Sequence, residues 1–227
     1  MLWAKAVVAL AVVAAPQASQ LEEARNRQDR AYLERAVREM QGGAEKRQQD
    51  AAAQYQLAQA QSYLSEVALE LRDKAAAKAA AEAGIRAAER AVALRPQMAE
   101  YHRILGTLCG QVIPAEVWLA FKYGSCARSS IDRAIELDPK SSKAYLSRGV
   151  GNYYLPATLG GGVELAIRDF QKAIQLDPKS PDAYLWHGVA LRKLHRNAEA
   201  RKEIAKSLEL NPRRVWAQQQ LAKTPAQ

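Results

Sequence analysis

The chain has 227 residues, 48% of them hydrophobic, with a net charge of +9 and a sequence pI near 9.6. That is enough apolar material for a sizeable core in one elongated domain rather than two, and Ala-rich, Gly-poor segments with few β-branched runs exclude a mainly β protein. The positive charge biases the surface toward anionic partners such as acidic peptides, lipid headgroups or polyanions, but it is scattered among 24 acidic residues without a long basic run, which disfavours nucleic acid.

Residues 1–18 read as an export signal or an N-terminal anchor. Met1-Leu2-Trp3-Ala4-Lys5 is a short positive start, Ala6 to Ala15 is apolar and uncharged, and Pro16 with small residues follows. The apolar run is short of the roughly 20 residues of a membrane span. Cleavage after Ala14 or Ala18 would leave an exported, periplasmic or secreted protein; an uncleaved segment would leave it membrane-anchored. No Cys follows the apolar run, so a lipid-modified terminus is not expected.

Residues 19–43 read as one polar capping helix with Leu21, Tyr32, Leu33, Ala36, Val37 and Met40 as its apolar stripe, stopped by Gly42-Gly43; the alternative is a flexible charged leader whose helix forms only when packed. A long helical pattern follows, with Tyr55, Leu57, Ala58, Tyr63, Leu64, Val67 and Leu71 on one side. The Ala-rich stretch from Ala75 to Leu94 ends at Arg95-Pro96. Ile104-Leu105-Gly106 opens a second helical pair that ends at Asp138-Pro139. The segment 112–124 between its helices carries Trp118, Phe121 and Tyr123, which predicts a short helix folded onto the scaffold or a partly exposed aromatic patch. A third pair runs from Ser141 through Tyr145, Leu146 and Gly149 to Asp177-Pro178, with an insert at 153–162. Its second helix shows Ala166, Phe170 and Ala173 at helical spacing.

The fourth pair is the clearest. Tyr184, Gly188 and Leu191 share one helical face, Ala200, Ile204, Ser207 and Leu208 share another, and Asn211-Pro212 stops the second helix. Ser180, Pro181 and Asp182 suit an N-cap, a first helical position and a helix dipole. Pro178 to Pro212 is 34 residues. That period, with the order aromatic, Gly, Ala, Ile, Pro, resembles the tetratricopeptide-repeat (TPR) family. The proline and glycine insert is similar to loops in exported bacterial repeat proteins, including lipoprotein partners of some solute transporters.

The resemblance implies an all-α, right-handed α-solenoid. Its repeats would occupy about 44–96, 97–139, 140–178 and 179–212, with a capping helix at 213–223 and a frayed tail at 224–227. Gly84 stands where the family prefers Ala, which implies a looser contact there. Transferred residue by residue, the family's groove positions are Tyr55, Gln59, Tyr63, Arg103, Thr107, Lys143, Leu146, Val150, Tyr153, Leu185, Val189 and Arg192. They imply a concave groove for a peptide or protein segment. The Lys and Asn pattern of the family's carboxylate-clamp members is not reproduced. The groove's alternative filling is the chain's own N-terminal helix.

Other constellations are weaker. Gly160-Gly161-Gly162 reads as a turn, because no Gly-Lys-Ser/Thr follows. Cys109 and Cys126 are either one disulfide across a helical hairpin or two buried thiols. His102, His187 and His195 are too dispersed for a metal site, and no Ser/His/Asp or paired-carboxylate signature stands out. The expectation is a non-enzymatic scaffold or adaptor without cofactor or metal, binding a partner in the cell envelope. The rivals are a basic C-terminal surface for an anionic polymer or membrane (Arg192, Lys193, Arg196, Arg201, Lys202, Lys206, Arg213, Arg214) and a solute-transporter component with a pocket beside 156–162.

Overall fold

A computed structural model describes residues 18–116 and 118–226, and the signal-like segment lies outside them except for Ala18. Among the described residues the chain forms α-helices and short 3₁₀ turns and no strand. In order these are α1 (Ala18–Asn26), α2 (Arg30–Lys46), α3 (Ala51–Glu70), α4 (Lys74–Leu94), α5 (Ala99–Val112), α6 (Leu119–Leu137), α7 (Ser142–Tyr154), α8 (Val163–Leu176), α9 (Pro181–Lys193), α10 (Asn197–Leu210) and α11 (Val215–Lys223). No described helix is long and apolar enough to cross a membrane.

Local chemistry sets the ends. Asp29, Asp50, Asp73 and Ser141 cap α2, α3, α4 and α7 by accepting from backbone N–H groups two or three residues on. The helices before Pro96, Pro139, Pro178 and Pro212 all end two residues before the proline, as its ring and missing N–H require. Ser180 sits at the N-cap of α9 and Pro181 at its first position, but the Ser180 side chain makes no capping bond.

The helices pair as α3/α4, α5/α6, α7/α8 and α9/α10, and each pair packs on the next as an α-solenoid. The leading helices α3, α5, α7 and α9 touch in succession along one side. Within the last three pairs a leading-helix glycine lets the second helix approach. A Cβ on Gly106 would stand 2.7 Å from Ile131 Cγ1, on Gly149 2.5 Å from Phe170 Cε1, and on Gly188 2.8 Å from the Ala200 carbonyl. Gly84 does the same across repeats: a Cβ there would meet Leu108 Cδ2 at 2.6 Å, so this contact is tight rather than loose. Phe170, Leu185, Leu191, Leu108 and Ile204 are fully buried between these layers.

The N-terminal segment departs from a single capping helix. α1 and α2 form a hairpin whose turn holds Gln28 at φ 56°, like Arg72 at 65° and His195 at 59° in the turns after α3 and α9. The segment is two helices rather than one capping helix. Gly42 and Gly43 lie inside α2, which continues to Lys46 because Ala44 is buried and its carbonyl accepts from Gln54 Nε2 at 3.0 Å.

The 112–124 insert becomes a 3₁₀ turn, Ile113–Ala115, and an early start to α6. Leu119 is buried and the Tyr123 hydroxyl donates to Glu82 at 3.0 Å, while Trp118 and Phe121 stay exposed. The 153–162 insert closes on itself: the Gly162 N–H donates to the Asn152 carbonyl at 2.9 Å, and Gly160 takes φ 80°. At the C-terminus Thr224 is buried rather than frayed. Its carbonyl accepts from Arg201 at 2.7 Å and its hydroxyl from Arg192 at 3.2 Å.

Candidate interaction site

The leading helices α3, α5 and α7 share a set of aromatic and polar side chains. Tyr55 stacks on Tyr101 with ring centroids 5.0 Å apart, and its hydroxyl donates to Glu100 at 3.0 Å. Arg103 grips Glu100 through Nε and Nη2, both at 2.7 Å, and reaches Ser147 on α7 at 3.3 Å, where Thr107 meets the same hydroxyl at 3.0 Å. The result is a polar strip across two repeats. Burial opposes the charges in it, but Arg103 outweighs burial and holds the Glu100 carboxyl below its ordinary range. Burial, then the Glu100 charge, push the Tyr55 hydroxyl well above the usual phenol value. Gln59 donates to the Tyr63 hydroxyl at 3.4 Å, Tyr63 lies 5.6 Å from the Arg25 guanidinium, and Lys143 is exposed.

The other transferred positions do not line an open hollow. Leu146, Val150 and Tyr153 pack against the core around Phe170, Ala190 and Leu191. Leu185 and Val189 are buried against Ile204 and Ala217, and Arg192 binds the Gln220 carbonyl, the Gln220 amide oxygen and Thr224. α11 continues the stack as the next leading helix and covers this face of α9. Cys109 and Cys126 sulfurs are at bonding distance, with Cα atoms 6.0 Å apart, and join α5 to α6.

The sequence reading missed a clasp that joins the two ends of the stack. Arg25 of α1 binds Glu66 of α3 and Asp182 of α9, both at 2.8 Å. Arg214, with a side chain 1% exposed, binds Glu66 at 2.8 Å, Glu70 through a very short contact, and the Arg25 carbonyl at 3.3 Å. Gln219 donates to Gln28 at 3.1 Å and Arg213 to Glu23 at 2.9 Å. Burial would raise the Asp182 carboxyl, but Arg25 and then Arg214 outweigh it and hold it low. Burial keeps Glu70 high despite Arg214. One signal in the sequence pointed here: Glu66 and Glu70 are like charges one helical turn apart, a pair that needs cations.

The C-terminal cations are largely engaged within the chain, Lys193 with the Tyr153 carbonyl. Arg214 is buried, Arg192 and Arg201 hold the C-terminal segment, Arg196 pairs with Glu199, Lys206 with Glu209, and Arg213 with Glu23. His187 is buried with Nδ1 3.1 Å from Glu203, a paired core imidazole.

The family model for regulator of microtubule dynamics protein 1-3 matches residues 14–160. The chain belongs to the regulator of microtubule dynamics protein 1-3 family. Tetratricopeptide-repeat models match residues 159–195 and 181–214, so this member of the family carries TPR units in its C-terminal part. A TPR protein of the thermophile Thermus thermophilus has the same fold, with a TM-score of 0.63 at 18% identity over 89% of this chain and 98% of that one. MamA from Desulfovibrio magneticus matches with a TM-score of 0.45 at 18% identity, over 85% and 95% of the two chains. YrrB, described as a TPR protein with an unusual peptide-binding site, matches at 0.44 and 19%, over 86% and 85%. No curated protein matches the sequence. The TPR fold of this family member is one that supports protein–protein interaction scaffolds.

Proposed function

We propose that this member of the regulator of microtubule dynamics protein 1-3 family is a non-enzymatic scaffold that holds a peptide or protein segment against the inner faces of α3, α5 and α7. The observation that carries this is the strip Tyr55, Glu100, Arg103, Thr107 and Ser147, preorganised by its own hydrogen bonds, with Lys143 exposed beside it. Aromatic faces beside fixed donors and an exposed cation suit a segment bearing apolar side chains and a carboxylate. A photo-crosslinking residue at Gln59 or Lys143 tests it. Crosslinks from these positions to one partner segment, with binding lost on Tyr63→Ala, are expected; crosslinks obtained only from outer-face positions would reject the reading.

Export belongs to the same proposal. A disulfide between Cys109 and Cys126 suits an oxidising compartment, as does the signal-like N-terminus. N-terminal sequencing of the mature protein and thiol labelling without reductant test it. The family's description supports a second reading, in which the partner belongs to microtubule dynamics. Cosedimentation of the full chain with polymerised tubulin decides that point.

A further inference from the structure

Two large aromatic side chains stand out of the surface within one turn of the 112–124 insert: Phe121 is 94% exposed and Trp118 58%. Single exposed apolar residues are ordinary, but a pair on an insert the repeat does not need marks a contact surface. The indole is fixed in place. Trp118 Nε1–H donates to Glu116 at 2.6 Å, the other Glu116 oxygen accepts from Lys78 Nζ at 3.0 Å, and that ammonium lies 5.9 Å from the indole centroid. Beside it, between α4 and the turn, is a depression of about 420 Å³ lined by Lys74, Ala75, Lys78, Ala79, Glu82 and Glu116. Ala75 and Ala79, one turn apart, make a small-residue floor.

The charges point to the occupant. Both carboxylates at the depression are engaged, Glu116 with Lys78 and Trp118, and Glu82 with the Tyr123 hydroxyl. Lys74 is exposed with no partner among the described residues, and Lys122 is exposed with its ammonium 4.8 Å from the Tyr123 ring. We propose that this edge of α4 and α6 docks an acidic peptide segment, one apolar side chain seated over Ala75 and Ala79 against Trp118 and Phe121, and carboxylates on Lys74 and Lys122. A flat anionic bilayer fits less well, because it cannot enter the recess and would face Glu82 and Glu116 as well as the lysines. A peptide can place its carboxylates on the lysines alone. This face is separate from the inner strip of α3, α5 and α7.

The test is fluorescence anisotropy of the full chain with a labelled peptide of Glu and Ala flanking one Phe. Controls are the same peptide with Lys for Glu, and vesicles of phosphatidylserine and phosphatidylcholine. The acidic peptide is expected to bind, more weakly as salt rises, with affinity falling about tenfold or more in Phe121→Ala and in Lys74→Glu. Arg103→Ala on the inner face is expected to leave it unchanged, which separates this site from the scaffold reading. Because Phe121 and Lys74 are exposed, melting curves are expected to match wild type and exclude misfolding. The proposal is overturned if the acidic peptide does not bind, if the lysine peptide binds equally, if binding survives both Phe121→Ala and Lys74→Glu, or if the chain takes up vesicles but not peptide.

Discussion

Arg25 and Asp182 sit 157 positions apart in the chain and 2.8 Å apart in space, and that single contact ties the first helix of the stack to its last full repeat. Solenoid repeats ordinarily contact only their neighbours, so their ends breathe independently. Here Arg214 extends the contact to Glu66 and Glu70 and accounts for one of the largest fully buried side chains. Arg214→Met would leave these carboxylates short of a cation and is expected to cost about 3–5 kcal/mol. Arg25→Ala is expected to cost less and to loosen the clasp, with faster amide exchange in α1 and at the starts of α9 and α11 but unchanged helix content. Equal exchange in wild type and Arg25→Ala would show that the clasp holds nothing.

Two of the acids in this clasp, Asp182 and Glu70, respond to pH with opposite sign. Asp182 is held below its ordinary value of 3.8, because Arg25 and Arg214 outweigh burial, so its contribution is present above that value and is lost as pH falls through the lowered one. Glu70 is held above its ordinary 4.5 by burial, so the fold favours its protonated form, and that contribution is lost as pH rises through the raised value. Denaturant titrations at stepped pH should therefore show wild type losing its advantage over Asp182→Asn only in strong acid. Relative to Glu70→Gln, wild type should gain stability as pH is lowered toward 4.5. The same sign for both pairs would contradict the burial and pairing described.

Two glycines on α7 separate packing from propensity. A Cβ on Gly149 would lie 2.5 Å from the buried Phe170 ring, so Gly149→Ala is expected to destabilise by roughly 1–3 kcal/mol through overpacking. Gly151 has nothing within 4 Å of its added Cβ, so Gly151→Ala is expected to stabilise by roughly 0.5–1 kcal/mol. Thermal melts of the two variants read this directly, and a stabilising Gly149→Ala would mean the helices do not meet there.

Those glycines also mark what could be read before the structure. The helix-stopping prolines, the aromatic and glycine face of α9, and Phe170 with Ala173 are local signals, and they set the paired helices and their solenoid stacking. The family pattern puts Leu185 and Val189 on a groove face, but here α11 covers them, because a terminal repeat is covered by whatever follows it. The clasp depends on superhelical curvature, a small rotation summed over several repeats, and no window of sequence records that sum. Gly42 and Gly43 misled for a simpler reason: glycine lowers helix propensity by only about 1 kcal/mol each, and the helix runs on to Ala44, which is buried and whose carbonyl accepts from Gln54.

The Cys109–Cys126 bond links α5 to α6 just below the aromatic edge and closes a loop with a sequence separation of 17. Cys109 is fully buried in the core that also holds Leu108, Val112 and Leu119, so the bond anchors the base of the insert that presents Trp118 and Phe121. Loop-closure entropy gives about 3 kcal/mol for a loop of this size. In a domain of this length that corresponds to a fall in Tm of roughly 6–12 °C on reduction. Melting with and without reductant measures it, with Cys126→Ser expected to match the reduced protein. Amide exchange should rise first between the 3₁₀ turn and the start of α6, and the acidic-peptide affinity should fall with it, because the aromatic edge loses its brace while the inner strip on α3 and α5 does not. An unchanged Tm under reductant would mean that the two sulfurs are not bonded in solution.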